Sequence, residues 1–178
     1  MESYIDASFD VTTTRFNSQT YRELNDFKER IQYNGALYNT AVRMTENVSP
    51  RKYLIVLEMN NTINKIMGIG VIQNRIYKDK KFKYIYEDDQ LNRHTYRSKF
   101  HIRIFESGEL ESKTLLDDWE YEYIENEFEK RIFYGKGHMK RGQCFTRIPR
   151  KWLTVRHKIF LVELLRKYCP KIEKLLTQ

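Results

Sequence analysis

Acidic residues are missing from a long stretch near the C-terminal end of this chain: no aspartate or glutamate occurs between Glu129 and Glu163. Cysteine is scarce, with only Cys144 and Cys169 in 178 residues, which argues against a disulfide framework and fits a reducing compartment. No run reaches the roughly 18 apolar residues of a membrane span. The opening residues, MESYIDASFD, carry acids and no apolar stretch, so neither a membrane anchor nor a secretory signal is expected. Internal repeats and low-complexity tracts are also lacking. His94, His101, His138 and His157 show no metal-ligand spacing, so no metal or other cofactor is expected. These absences point to a soluble intracellular protein held by its own core.

The composition supports such a core. Hydrophobic residues make up 40% and aromatics 14%, enough to exclude the disordered class despite 31% charged residues. The net charge of +8 is unevenly distributed. Glu106 to Glu129 holds 10 acids against the single base Lys113, and the following run holds 10 Lys/Arg, from Lys130 to Lys158. If the fold keeps the two blocks apart, the molecule has an electropositive face of the kind that takes a polyanion. If the blocks pair with each other, they are two solvated faces of one domain.

Periodicity predicts an α+β chain. Residues 1–17 lack a clear period and read as a loosely attached arm, with a single domain over 18–178. Ser18 or Thr20 caps a predicted helix in which Tyr21, Leu24, Phe27 and Ile31 recur, ending near Asn34-Gly35. Strands are expected over 36–44, 53–57 and 65–72, the last two joined by a hairpin connector, MNNTIN. Gly68 and Gly70 lie inside the third of these and mark a bulge or a close backbone approach. Further strands are expected over 82–86 and 96–105, and helices over 115–132 and 154–168, the last stopped by Pro170. Short strands with helices at the edges, without β-α alternation, predict a small, strongly bent or barrel-like sheet.

That order of elements is similar to the PUA-like superfamily, with its ASCH, EVE and YTH branches, where a strand of hydrophobic, Gly, hydrophobic, Gly pattern follows a strand beneath the ligand pocket. KIMGIGVIQN looks like that strand. The strings VLEMNNTINKIMGIGVIQN, YEDDQLNRHTYRSKFHI and YGKGHMKRGQCFTRIP also resemble a family of proteins from large nucleocytoplasmic DNA viruses, with Cys144 standing where that family's run has glycine. The first resemblance implies a PUA-like barrel with a base pocket. The second implies a viral origin, with the host cytoplasm or nucleus as location, and no activity.

Two groups of residues carry the functional expectation. GKGHMKRGQ places Gly135, Gly137 and Gly142 among Lys136, His138, Lys140 and Arg141, so that backbone amides and charge together suit a phosphate. Arg147, Arg150 and Lys151 extend this basic surface. The string is not a Walker A loop, because Gln143 and Cys144 follow Gly142 where lysine and Ser/Thr belong. Glu58, Asn60 and Asn61, with Asn64, cluster at a strand end where they can pair with a base edge. Stacking would come from Trp119, Trp152, Tyr53, Tyr84 or Tyr86, while both tryptophans also read as core residues.

The expectation is a non-catalytic nucleic-acid binder, for RNA or DNA, that reads an unpaired or modified base. The alternative is a viral structural or interaction protein whose basic face docks on an acidic protein or a packaged genome. A hydrolase using Cys144 with His138, or a nuclease using Glu58, Asp88, Asp89 and Lys99 around magnesium, stands behind these.

Overall fold

The threonine-rich segment expected to be a loose arm is an inner strand in the computed structural model, which describes residues 9–107, 112–142 and 144–176. β1 (Asp10–Phe16) pairs in parallel with β3 (Tyr53–Asn60) and antiparallel with β7 (Phe145–Arg147). Its β-branched Val-Thr-Thr-Thr run favours extended backbone. All but one of its residues are buried, so it lacks the polar/apolar alternation of a half-exposed strand. The rest of the expected arm, residues 1–8, lies outside the described residues.

α1 (Ser18–Arg30) follows at once. Its cap is Asn17 rather than Ser18 or Thr20: the Asn17 carboxamide accepts from the Thr20 amide at 2.8 Å, and the Thr20 hydroxyl accepts from the Asn17 amide at 3.1 Å. The helix ends in a left-handed residue, Gln32 (φ 53°), with the Tyr33 amide donating back to the Lys28 carbonyl.

β3 and β4 (Lys65–Gln73) form the expected hairpin at the centre of a five-stranded sheet, ordered β6-β4-β3-β1-β7 with β6 at Phe100–Arg103. β2 (Ala36–Thr40) and β5 (His94–Ser98) form a separate antiparallel pair. The architecture is α+β, and among the described residues the strands do not close into a barrel.

Several expected elements come out differently, each for a local reason. Residues 82–86 are not a strand. The Asn92 carboxamide accepts from the Ile85 and Tyr86 amides and donates to the Tyr86 carbonyl, replacing a strand partner with one side chain. The expected strand over 96–105 is two, broken at Lys99, which lets β5 and β6 enter different sheets. The helix expected over 115–132 begins at α2 (Asp118–Tyr123), passes through a π-helical segment (Ile124–Glu129) and ends in α3 (Lys130–Ile132). The π segment delivers Glu129 to the sheet, where its carboxylate accepts from the Ile66 amide at 2.9 Å beside the hairpin bulge. α4 (Val155–Tyr168) is capped by Thr154 and packs on the π segment through Phe128, His157 and Phe160; a short α5 (Glu173–Leu176) follows.

One sheet face is set by strand pairing. Gly70 lies opposite His101 and Gly68 opposite Arg103, with Glu58 on the next strand beside a register shift between Leu57 and Met59. A Cβ on Gly68 would overlap Glu58 Oε2 and lie 3.0 Å from the Ile102 carbonyl; one on Gly70 would overlap the Tyr38 hydroxyl. Gly135 (φ 78°) has open space around it instead. We expect Gly68→Ala and Gly70→Ala each to cost about 1–3 kcal/mol by overpacking, and Gly135→Ala only about 1 kcal/mol from its backbone angle. Urea midpoints at unchanged slope measure the difference.

Candidate functional site

Glu58 is almost wholly buried, and a carboxylate there needs partners from other strands. It finds two. The Tyr38 hydroxyl donates to Oε1 at 2.7 Å, and His101 Nε2 lies 2.8 Å from the same oxygen. β6 is two strands away from β3, roughly 9.6 Å at ordinary spacing. Glu58 and His101 meet because the strand between them presents only glycine at Gly68 and Gly70.

Burial pushes the Glu58 carboxyl up, but the His101 ring, Lys28 and the Tyr38 hydroxyl outweigh it and hold the group below its ordinary value. Burial and then the Lys28 ammonium push His101 down, against the pull of Glu58. The pair is therefore a carboxylate facing a neutral imidazole. Nε2–H donates to Glu58, which leaves Nδ1 as a lone-pair acceptor with no hydrogen-bond partner among the described residues.

His101 also lines a cavity of about 530 Å³, together with Lys28, Glu29, Gln32, Tyr33, Asn34 and Arg103. Lys28 is its most unusual member. The residue is 6% exposed, yet its ammonium has no hydrogen bond or ion pair among the described residues. Burial, opposed by Glu58 and reinforced by Arg103, lowers it from 10.5 to about 8. Arg103 donates to the Glu106 carbonyl at 3.2 Å and pairs with Glu29 at 3.8 Å. The wall is thus polar, with two cations, one carboxylate and a supported imidazole.

Sequence reasoning named Glu58 and missed Lys28, although a signal existed. Lys28 stands four residues after Leu24 and three before Ile31, on the apolar stripe of α1. His101 and Arg103 alternate with the buried Phe100 and Ile102 along β6 and line the cavity.

The other expected base-pocket residues are elsewhere. The Asn60 carboxamide accepts from the Thr62 amide at 3.1 Å and so closes the turn, while Asn61 donates to the Lys140 carbonyl at 3.3 Å and ties the hairpin to the glycine-rich loop. Asn64 occupies a left-handed turn (φ 55°) and accepts from Lys140 Nζ at 2.7 Å. Trp119 is 60% exposed on α2 against Phe160, and so belongs neither to the core nor to the group around Glu58. Tyr53 packs against Phe9, Tyr84 is exposed, and Tyr86 lines a smaller cavity of about 110 Å³ with Tyr38 and Cys144. No hydrogen bond joins Cys144 to His138, whose Nδ1 accepts from the Lys140 amide. No group of three or more metal-ligating side chains occurs among the described residues, and Asp88 caps a 3₁₀ turn.

The basic loop keeps its charge. Part of the acidic segment is engaged away from this loop, Glu125 and Glu129 with Lys65 and Asp117 and Glu120 with Lys167, while Glu127 pairs with His157 and with Arg131 at the start of the basic run, and Asp118 and Glu122 are exposed. Arg147 pairs with Asp10. Lys136, Arg141, Arg150 and Lys151 are exposed and form no salt bridge among the described residues. A Cβ on Gly137 would lie 3.1 Å from the Trp152 ring, so the loop passes beside the turn carrying Arg150 and Lys151. The loop is not an open cradle of amides, because those of His138, Met139, Lys140 and Gly142 already donate within the chain. Tyr134, 57% exposed, precedes it.

Among the described residues no helix is long and apolar enough to cross a membrane. Comparison of the chain with protein-family models, curated proteins and solved structures gives no match, so no relative bears on the viral or PUA-like resemblance.

The unpaired lysine has a stability consequence with a definite sign. Between pH 8 and 10.5 the unfolded chain holds a proton that the folded one releases, so the penalty of burying the ammonium is full below pH 8 and fades as pH rises to 10.5. Lys28→Met should therefore stabilise the protein by up to roughly 3 kcal/mol at pH 7. Denaturant titrations of both proteins across this pH range should show the gain shrinking toward zero; a gain independent of pH contradicts the buried ammonium.

Proposed function

We propose that this protein binds single-stranded nucleic acid, with the loop 135–142 and the turn at Arg150 and Lys151 holding phosphates, and the Lys28–Arg103 pocket receiving one nucleotide unit. The observation that carries this reading is that Lys136, Arg141, Arg150 and Lys151, on a loop and a turn that pass close to each other, are exposed and form no salt bridge among the described residues, while Glu120, Glu125 and Glu129 pair with Lys65 and Lys167. Such a surface neutralises a phosphate backbone and binds without reading sequence.

The exposed Tyr134 beside Lys136 offers a base a stacking surface, worth roughly 1–3 kcal/mol. The pocket adds the polar component. Lys28 and Arg103 suit a phosphate, and Gln32 and Asn34 offer amides to a sugar or a base edge. In this reading the two sheets are an open form of the PUA-like arrangement, with the ligand beside the glycine-containing strand, inside a cell rather than outside it.

The test is fluorescence anisotropy with short single-stranded DNA and RNA over a salt series. Affinity should fall with added salt at a slope of about −0.7 per phosphate contact, and the combined Lys136→Ala, Arg141→Ala, Lys151→Ala variant should flatten the slope by about 2. Absence of binding at low salt would assign the basic face to an acidic protein partner.

A further inference from the structure

We propose that the pocket is a carbonyl-capturing site, in which the Lys28 amine condenses with the aldehyde of an abasic deoxyribose in single-stranded DNA and His101 acts as base for release of the 3′-phosphate. The proposal deepens the nucleic-acid reading and rests on it.

Three features support it. Lys28 is more than nine-tenths buried, lines the cavity, and has no carboxylate or carbonyl bound to its ammonium among the described residues. The amine feels the charge of Glu58 but is not hydrogen-bonded or ion-paired among the described residues, and its displacement to about 8 leaves a usable fraction unprotonated near neutrality, as imine formation requires. On the same wall His101 is oriented by Glu58 through Nε2, so that Nδ1 can take a proton from a group in the cavity. Finally, Tyr33 is the one Phe, Tyr or Trp among the seven lining residues, and the other ring, His101, is tied to Glu58. This wall is poorly suited to sandwiching a base. It suits a sugar without one, flanked by phosphates facing Lys28 and Arg103.

The chemistry closes without an oxidant, a reductant or a metal. The Lys28 amine adds to C1′ of the ring-opened sugar, and loss of water gives an iminium ion. His101 Nδ1 accepts a proton from C2′. The C–H electron pair forms the C2′=C3′ bond as the C3′–O bond breaks and the 3′-phosphate leaves. Water then adds at C1′, freeing the unsaturated aldehyde and restoring the Lys28 amine, and His101 returns its proton to solvent.

The experiment incubates the full chain with an oligodeoxynucleotide carrying one abasic site in the presence of cyanoborohydride, which fixes an imine as a stable adduct. An adduct mapped by mass spectrometry to Lys28 is expected. Lys28→Arg keeps the charge but cannot form the trapped adduct, and Lys28→Met removes both; each should lower adduct formation by about 100-fold or more, with thermal melts confirming that both fold. His101→Gln should still give the adduct but slow strand scission by about 100-fold, the usual contribution of a general base.

Binding to the tetrahydrofuran analogue, which lacks the aldehyde, is measured alongside and separates the two readings. If the analogue binds and no Lys28 adduct forms, or if the Lys28 variants trap as well as the parent, the carbonyl proposal falls while nucleic-acid binding stands. If the analogue does not bind, both fall.

Discussion

A carboxylate buried in the middle of a sheet is the constraint around which much of this structure is arranged. Glu58 needs hydrogen-bond donors. The donors come from β2, through Tyr38, and from β6, through His101, and a counter-charge comes from α1, through Lys28. Each demands room. Gly68 and Gly70 supply it by leaving β4 without side chains on that face, and the register shift opposite Glu58 adjusts the spacing. Leaving a buried carboxylate unpaired would cost several kcal/mol. The separate β2–β5 pair and the seat of α1 are thus tied to one side chain, and His101 also lines the cavity.

A second buried carboxylate anchors the opposite layer. Glu129 reaches the sheet from the π segment and binds both the Ile66 amide and Lys65, at the edge of the same hairpin. Burial pushes its carboxyl above the usual range, although the Ile66 amide and Lys65 oppose this. The acidic segment that looks like a solvated face in sequence is therefore partly an internal fastening. Glu120, Glu125 and Glu129, engaged with Lys65 and Lys167, are not the partners of Lys136, Arg141, Arg150 and Lys151, which form no salt bridge among the described residues.

Legibility followed the number of faces an element exposes. α1 was readable because one side meets solvent, so that Tyr21, Leu24 and Phe27 stand out against polar neighbours; the β3–β4 hairpin was readable from its apolar runs and its turn. β1 was not, since a strand covered on both faces carries no alternation and its threonines resemble a loop. Residues 82–86 have strand composition, but their backbone groups are satisfied by Asn92, a side-chain substitute that no local pattern announces. Trp119 was expected inside because tryptophan usually is, yet its helix presents it to solvent beside Phe160. Glu58 was singled out for the wrong neighbours: the asparagines after it serve the turn, and its partners lie 20 and 43 positions away in the chain.

By itself the sequence determined the α+β class, the central hairpin with its two glycines and the segregation of charge, because each follows from local periodicity or composition. Only the tertiary structure decided that Glu58, His101, Tyr38 and Lys28 come together, that Glu120 and Glu129 are buried and paired with lysines while the cations of the loop form no salt bridge among the described residues, and that a polar cavity opens at the end of α1. Those outcomes depend on which strands pair and in what register, and pairing is fixed by how the whole core packs rather than by any segment read alone.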